Sequence, residues 1–346
     1  MLSGVRFMKT GWGFIGASTI AKQWMIDAVR AQRGHDVVAV MSSDLARGQA
    51  YADANQIGKA YDLVEALLAD EEVNAVYVST TNELHKDQVL AAAAAGKHVL
   101  CEKPLAVELN DAVEMVIACR KAGVVMGTNH HLRNAATHQA IRQQIESGVI
   151  GNVVGMRIFH AVELPGNLQT WRINKPQAGG GVILDIVVHD ADTVRYLLGE
   201  DPVDVMAYAQ NGGMASGLED GSMTIMRMPN GALVQSHESF VVPHAGTGLE
   251  VHGTKGSIFA RGVMTQKPVG EVEVVTDQGR RFLDIDHHNL YVHSLAKFAT
   301  AIEDGGEAAV TGVDGIKSLA VALAVSKSAA EGRRVEVNYP DIPPGT

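Results

Sequence analysis

The stretch GGGVILDIVVHDAD, from Gly179 to Asp192, sets Asp185, His189 and Asp192 among isoleucines and valines. On a helix, residues four apart share a face. Asp185 and His189 then stand one above the other, with Asp192 a further turn along. Val182, Ile183, Ile186 and Val187 cover other faces and can pack. A carboxylate beside an imidazole suits acid–base chemistry, because an imidazole titrates near pH 6.5. The same pair equally suits a buried structural hydrogen bond, since buried polar groups need only satisfy one another. These residues alone leave both readings open.

A second constellation lies near the start. GFIGASTIA places Gly16, Ser18 and Ala21 at the three positions of the dinucleotide fingerprint G-x-G-x-x-G/A, with Ala17, Thr19 and Ile20 between them. Gly16 permits the tight turn and Ala21 lets helix and strand approach closely. Ser18 departs from the pattern, but it is small and its hydroxyl can donate. The turn opens a helix whose N-terminus favours a pyrophosphate. The second strand then ends in AVMSSDLARG. An NAD site usually places an acid there for the ribose hydroxyls. Ser42, Ser43 and Arg47 instead suit a 2′-phosphate, which points to NADP(H). Asp44 remains the residue that would serve NAD, unless it caps the following helix and Arg47 is a solvated charge.

These residues need elements to position them. WGFIG, HDVVAVMS, VNAVYVST, HVLCEKP and VVMGTNH read as buried strands. STIAKQWMIDAVRAQ, ARGQAYADANQ, HKDQVLAAAAAGK and ELNDAVEMVIACRKAG read as the helices between them. Such alternation predicts a parallel, doubly wound sheet. Thr80, Thr81, Asn82 and His85 follow the strand AVYVS, at the carboxyl end where ligands bind in such sheets, and are expected to line the cofactor channel. After about residue 130 the pattern changes. GNVVGMRIFHAVE, PVDVMAYAQ, DGSMTIMRMP, GALVQSHESFVV, GLEVHGTKGSIFA and GEVEVVTD read as strands separated by Gly- or Pro-containing turns, a mainly antiparallel sheet. The fold class is therefore α/β: an N-terminal Rossmann domain over 9–130 and a domain with an open mixed sheet over 131–338. A final helix at about 313–331 is expected to pack back on the first domain.

Bulk composition agrees. The 346 residues, 46% hydrophobic and 20% charged, allow two domains with sizeable cores. A net charge of −10 argues against nucleic acid as a partner. Cys101 and Cys119 have no metal-type spacing and cannot staple such a chain, so a reducing cytoplasm is expected. No apolar leader or membrane-length run is evident, Met8 is an alternative start to Met1, and the tail PDIPPGT is expected to be disordered. No metal is expected. His130–His131 and His287, His288 and His293 lack a carboxylate or Cys partner at ligand spacing.

The blocks STTNELH, GKHVLCEKPLA and GGGVILDIVVHDAD, in this order, resemble the glucose–fructose oxidoreductase / inositol dehydrogenase / rhizopine catabolism family over nearly the whole chain. WGFIGASTIA, GTNHHLRNAA and VHGTKGS narrow the resemblance to its bacterial keto-sugar reductases. The resemblance implies a nicotinamide held at the sheet face between two domains. It implies that Lys103 of EKP contacts both substrate oxygen and cofactor ribose, and that Asp185 and His189 complete the catalytic set. It places Glu102 and Asn129 near the ribose or substrate. It aligns Trp171 and Arg172 with a segment closing over the cofactor and Tyr291 with a tyrosine near the active site. His160 becomes a candidate sugar contact. The expected function is NADPH-dependent reduction of a keto-sugar, protonated by His189. An NAD(P)-dependent polyol or sugar dehydrogenase and a cofactor-sensing regulatory protein are the alternatives. The second sheet is a candidate face for a homo-oligomer.

Overall fold

A computed structural model describes residues 9–342. The alternative start and the last four residues of the tail lie outside them. The chain divides into two compact units.

The first unit holds residues up to 129 together with 291–313. Its sheet has six strands: β1 (Thr10–Ile15), β2 (His35–Met41), β3 (Lys59–Tyr61), β4 (Ala75–Val78), β5 (His98–Cys101) and β6 (Met126–Thr128). Their order is β3-β2-β1-β4-β5-β6, with every pair parallel. Every residue of β1 and β4 is buried. Unbroken apolar runs of this kind belong to strands covered on both faces. The helix Leu109–Ala122 has Asp111 in its first turn and Arg120 and Lys121 in its last, matching the helix dipole, and ends at Gly123. The helix Leu290–Asp304 brings the chain back to this unit. Phe298 sits 5.5 Å from the Trp12 ring, and Tyr291 stacks on Trp24.

The second unit holds residues 130–290 and 314–341. Its nine strands are β7 (Val153–Ala161), β8 (Asp204–Gln210), β9 (Gly221–Arg227), β10 (Leu233–Ser239), β11 (Gly248–Gly253), β12 (Gly256–Arg261), β13 (Glu271–Thr276), β14 (Gly279–Phe282) and β15 (Val335–Glu336). The order is β14-β13-β12-β11-β7-β10-β9-β8-β15. Only β7 and β10 pair in parallel. Residues alternate between faces along each strand. Met156, Ile158, Val234, Ser236, Met226 and Thr224 are buried, whereas Tyr208, Met223, Ile225 and Leu233 lie on the exposed face. The helix Gly312–Glu331 belongs to this unit from Asp314 onward. Ser318 accepts from Arg195 Nη1 at 3.2 Å, and Ser328 accepts from the Ala207 amide at 3.0 Å. These bonds fix it beside β8 and the helix that carries His189. The preceding helix, Leu290–Asp304, makes the return to the first unit.

Candidate active site

The first unit builds a dinucleotide turn from its sequence. Gly16 has φ +110°, a left-handed conformation that favours glycine, and a Cβ there would meet the Ser79 carbonyl oxygen at 3.0 Å. Strand ends β1 and β4 approach this closely because nothing projects from Gly16. The Ser18 hydroxyl pairs with Ser79 Oγ at 2.8 Å and accepts from the Ala21 amide at 3.2 Å. It therefore locks the turn and caps the helix. The helix opens with a π-helical turn at Ala21–Met25, and Ala21 is fully buried. At the end of β2, Arg47 Nε donates to Ser42 Oγ at 3.0 Å. The Asp44 carboxylate accepts from the Arg47 amide at 3.0 Å and so caps Leu45–Asn55.

At the carboxyl ends of β4, β5 and β6 the expected residues separate into two sets. Thr80 donates to Gln88 Oε1 at 2.7 Å, and Thr81 precedes a short 3₁₀ turn that begins at Asn82. Lys103 follows β5 and opens a cis peptide bond to Pro104. Glu102 accepts from Tyr77 Oη and from Asn129 Nδ2, the latter at 2.6 Å, and burial raises its carboxyl above the ordinary range. Asn129 is 2% exposed, so its amide orients Glu102 from within. His85 departs from the expected channel wall. It is fully buried, with Nδ1 3.0 Å from the Pro104 carbonyl and Nε2 3.3 Å from that of Thr80. Burial lowers its pKa, so it is a neutral clasp behind the Lys103–Pro104 turn. Tyr291 is likewise fully buried and stacks on Trp24.

The second unit carries the Asp185–His189 segment. Gly179 and Gly181 have φ of +74° and +99°, and a Cβ at Gly180 would lie 2.8 Å from the Trp171 carbonyl oxygen. The three glycines thus fold tightly under Trp171–Arg172 before the helix starts. Ile183–Val187 is a π-helical turn that passes into the helix Val188–Leu198. Glu219 caps it from a distant loop, accepting from the Ile183 amide at 3.2 Å through Oε1. Asp185 and His189 are 9% and 6% exposed. Arg172 Nε stands 3.3 Å from Asp185 Oδ2, and its guanidinium lies over the Trp171 ring. This short segment is therefore tied to the aspartate. The His189 ring meets the rings of His131 and His130 edge-on, with centroids 4.7 and 5.7 Å away. Asp192 has a separate task. It is 1% exposed and forms a two-point pair with the buried Arg133, with Nε to Oδ2 at 2.9 Å. His160 turns Nδ1 to Asp190 at 2.8 Å.

Two segments match descriptions of one family. Residues 10–130 match the oxidoreductase family with an NAD-binding Rossmann fold, and residues 138–259 match the GFO/IDH/MocA C-terminal domain. The chain belongs to the GFO/IDH/MocA oxidoreductase family. It is 55% identical to a 1,5-anhydro-D-fructose reductase of Ensifer adhaerens, over 94% of this chain and 98% of that protein. It is 30% identical to a myo-inositol 2-dehydrogenase of Thermotoga maritima, over 93% and 98%. The structure of an aldose–aldose oxidoreductase from Caulobacter crescentus, complexed with glycerol, superimposes with a TM-score of 0.87 at 26% identity, covering 95% of this chain and 99% of that one.

In this GFO/IDH/MocA chain several neighbours of the expected residues escape sequence reading. Ser79 and Tyr77 lie on β4 or at its end and partner Ser18 and Glu102. His130 and His131, weighed in the sequence only as metal ligands, follow Asn129 directly and pack their rings on His189. Glu219 and Asp190 give no signal, because each acts through a contact distant in sequence. Among the described residues no group of three or more His, Cys, Asp and Glu is arranged to hold a metal ion, and no helix is long and apolar enough to cross a membrane.

Proposed function

We propose that this protein is a cytoplasmic NADPH-dependent reductase of a cyclic keto-sugar, converting 1,5-anhydro-D-fructose to 1,5-anhydro-D-mannitol. The observation that carries the substrate is the 55% identity, over 94% of the chain, to a 1,5-anhydro-D-fructose reductase. The geometry at β2 supports the cofactor. Arg47 is drawn to the strand end by Ser42, where its guanidinium can pair with a phosphate. The Asp44 carboxylate, the foothold of the NAD reading, is occupied in capping a helix. The tight turn at Gly16, which a Cβ would press against the Ser79 carbonyl, leads into a helix start that suits a pyrophosphate.

NADPH, when bound, supplies the hydride that the carbonyl carbon receives. Lys103 polarises the carbonyl and stabilises the negative charge that grows on its oxygen. His189 delivers a proton to that oxygen, so the ketone becomes an alcohol and the imidazole is left neutral. Asp185 favours the charged imidazole before transfer, and Arg172 holds Asp185 in place. His160 accepts a hydroxyl of the sugar.

The test is turnover of a panel of keto-sugars, inositols and aldoses with NADPH, NADH and their oxidised forms. Rapid NADPH oxidation with 1,5-anhydro-D-fructose is the expected result. Turnover confined to inositols or aldoses with NAD would replace this reading by a polyol dehydrogenase. Cofactor binding without any turnover would replace it by a sensor. His189→Ala is expected to lower kcat by about 10²–10⁴-fold with NADPH affinity retained, and a near-normal rate would remove His189 from the mechanism.

A further inference from the structure

Behind the helix Val188–Leu198 lies a buried polar cluster that the mechanism above does not use. Glu238 on β10 stands directly across from His160 on β7 in the parallel register, so the two side chains share one face of the sheet, and His160 meets the helix at Asp190. Asp190 meets them from above. Glu238 and Asp190 are both fully buried. Asp190 Oδ1 accepts from His160 Nδ1 at 2.8 Å. Among the described residues no N–H or O–H donor reaches Asp190 Oδ2 or either carboxyl oxygen of Glu238, and the two buried carboxyls are neighbours. Two carboxyls in such contact cannot both be ionised, so a proton must bridge them.

Resting on the keto-sugar reading above, we propose that Glu238 is a positioning residue that enters this cluster as a neutral acid: its carboxyl proton is donated to Asp190, Asp190 accepts the Nδ1–H of His160, and His160 presents a bare Nε2 to a hydroxyl of the sugar. The chain of hydrogen bonds fixes direction. An ionised Asp190 accepts only, so His160 Nδ1 must donate to it, and a neutral imidazole that donates through Nδ1 can only accept through Nε2. The site then selects for a substrate that carries a hydroxyl donor at that point, and a deoxy analogue leaves Nε2 without a partner. Burial, then the neighbouring charge of Asp190, push the Glu238 carboxyl well above the ordinary range, in keeping with a retained proton. Ser236 on the same strand face stands beside Glu238. His138 is the other titratable group at His160. Burial holds it down to about 4, so it adds no charge near neutral pH.

The proposal is tested with Glu238→Gln and Glu238→Leu in the full chain. A glutamine amide can donate to Asp190 as the protonated acid does, whereas leucine cannot. Ring ¹⁵N shifts of His160, assigned with His160→Gln, read its tautomer without substrate. The expected result is an Nδ1–H tautomer in the wild type, retained in Glu238→Gln, with a mixture of tautomers in Glu238→Leu. The KM for the keto-sugar is expected to rise about tenfold in Glu238→Leu, to be rescued in Glu238→Gln, and to leave NADPH affinity unchanged. An Nε2–H tautomer in the wild type would overturn the proposal. So would a Glu238→Gln protein as impaired as Glu238→Leu. If Glu238→Leu does not fold, the wild type and the glutamine variant decide by the tautomer alone. A wild type inert toward every keto-sugar defeats the functional reading but leaves the spectra able to judge Glu238.

Discussion

Arg47 shows how much one contact can decide. Its Nε is held by Ser42 and its amide by Asp44, so guanidinium and carboxylate are sorted into different tasks at one strand end. Removing the guanidinium should cost chiefly the cofactor that carries a phosphate there. For Arg47→Ala we expect NADPH to bind about 10–100-fold more weakly, the size of one charge-assisted hydrogen bond, with NADH changed less than about twofold. Fluorescence titration with each cofactor measures this, and equal losses would contradict a phosphate role. Asp44 also marks where sequence stops informing. An acid near the end of the second strand fits a ribose or a helix cap equally well, and only the bond from the Arg47 amide separates the two. His85 and Tyr291 were legible as polar residues near the motifs, but motif proximity does not report burial. Both are fully buried, and sequence spacing does not report what they touch there.

At the scale of elements, the start of the His189 helix is the feature most dependent on local sequence. Gly181 sits at φ +99°, and a Cβ there would lie 2.2 Å from Glu219 Oε1. Gly181→Ala must therefore strain the backbone and also displace the carboxylate that caps Ile183. We expect a loss of about 2–4 kcal/mol in unfolding free energy, from a strained φ plus a lost cap, read by urea denaturation. A stability within about 0.5 kcal/mol of wild type would show that the turn relaxes freely. The glycines and the helix they precede were readable from type and spacing. The π-helical turn at Ile183–Val187 was not, because apolar residues satisfy either winding and the choice is made by capping and packing. β3 and β14 were missed for a related reason. They are three and four residues long, carry little buried surface and owe their existence to neighbours already in the sheet. Leu290–Asp304 has buried Leu290, Leu295, Phe298 and Ala301 at helical spacing and ends at Gly305, but His293, Lys297 and Thr300 break the apolar run.

For the whole molecule, the two architectures followed from the change in pattern near residue 130, whereas the return of 291–313 to the first unit did not. That return depends on long-range partners such as the Gln32 side chain, which donates to the Val292 carbonyl at 3.1 Å. Stability against pH also belongs to the whole chain, because it sums groups in both units. Burial lowers the pKa of His85 and brings that of His138 down to about 4. In the unfolded chain each titrates near 6.5, so between these values the unfolded state binds more protons than the native one. Their contribution is full above about pH 6.5 and is lost as pH falls toward 4. For His138 the difference corresponds to about 3 kcal/mol. Glu238 acts in the opposite sense: its raised carboxyl stabilises most below about pH 4.5 and less as pH rises through its folded value. The acid limb should therefore steepen below pH 6.5 and be governed by the histidines. We expect the drop in unfolding free energy between pH 7 and pH 4.5, measured by urea denaturation, to shrink by about 2–3 kcal/mol in His138→Gln. An unchanged drop would mean that His138 is protonated in the native state and that its burial is relieved by a partner.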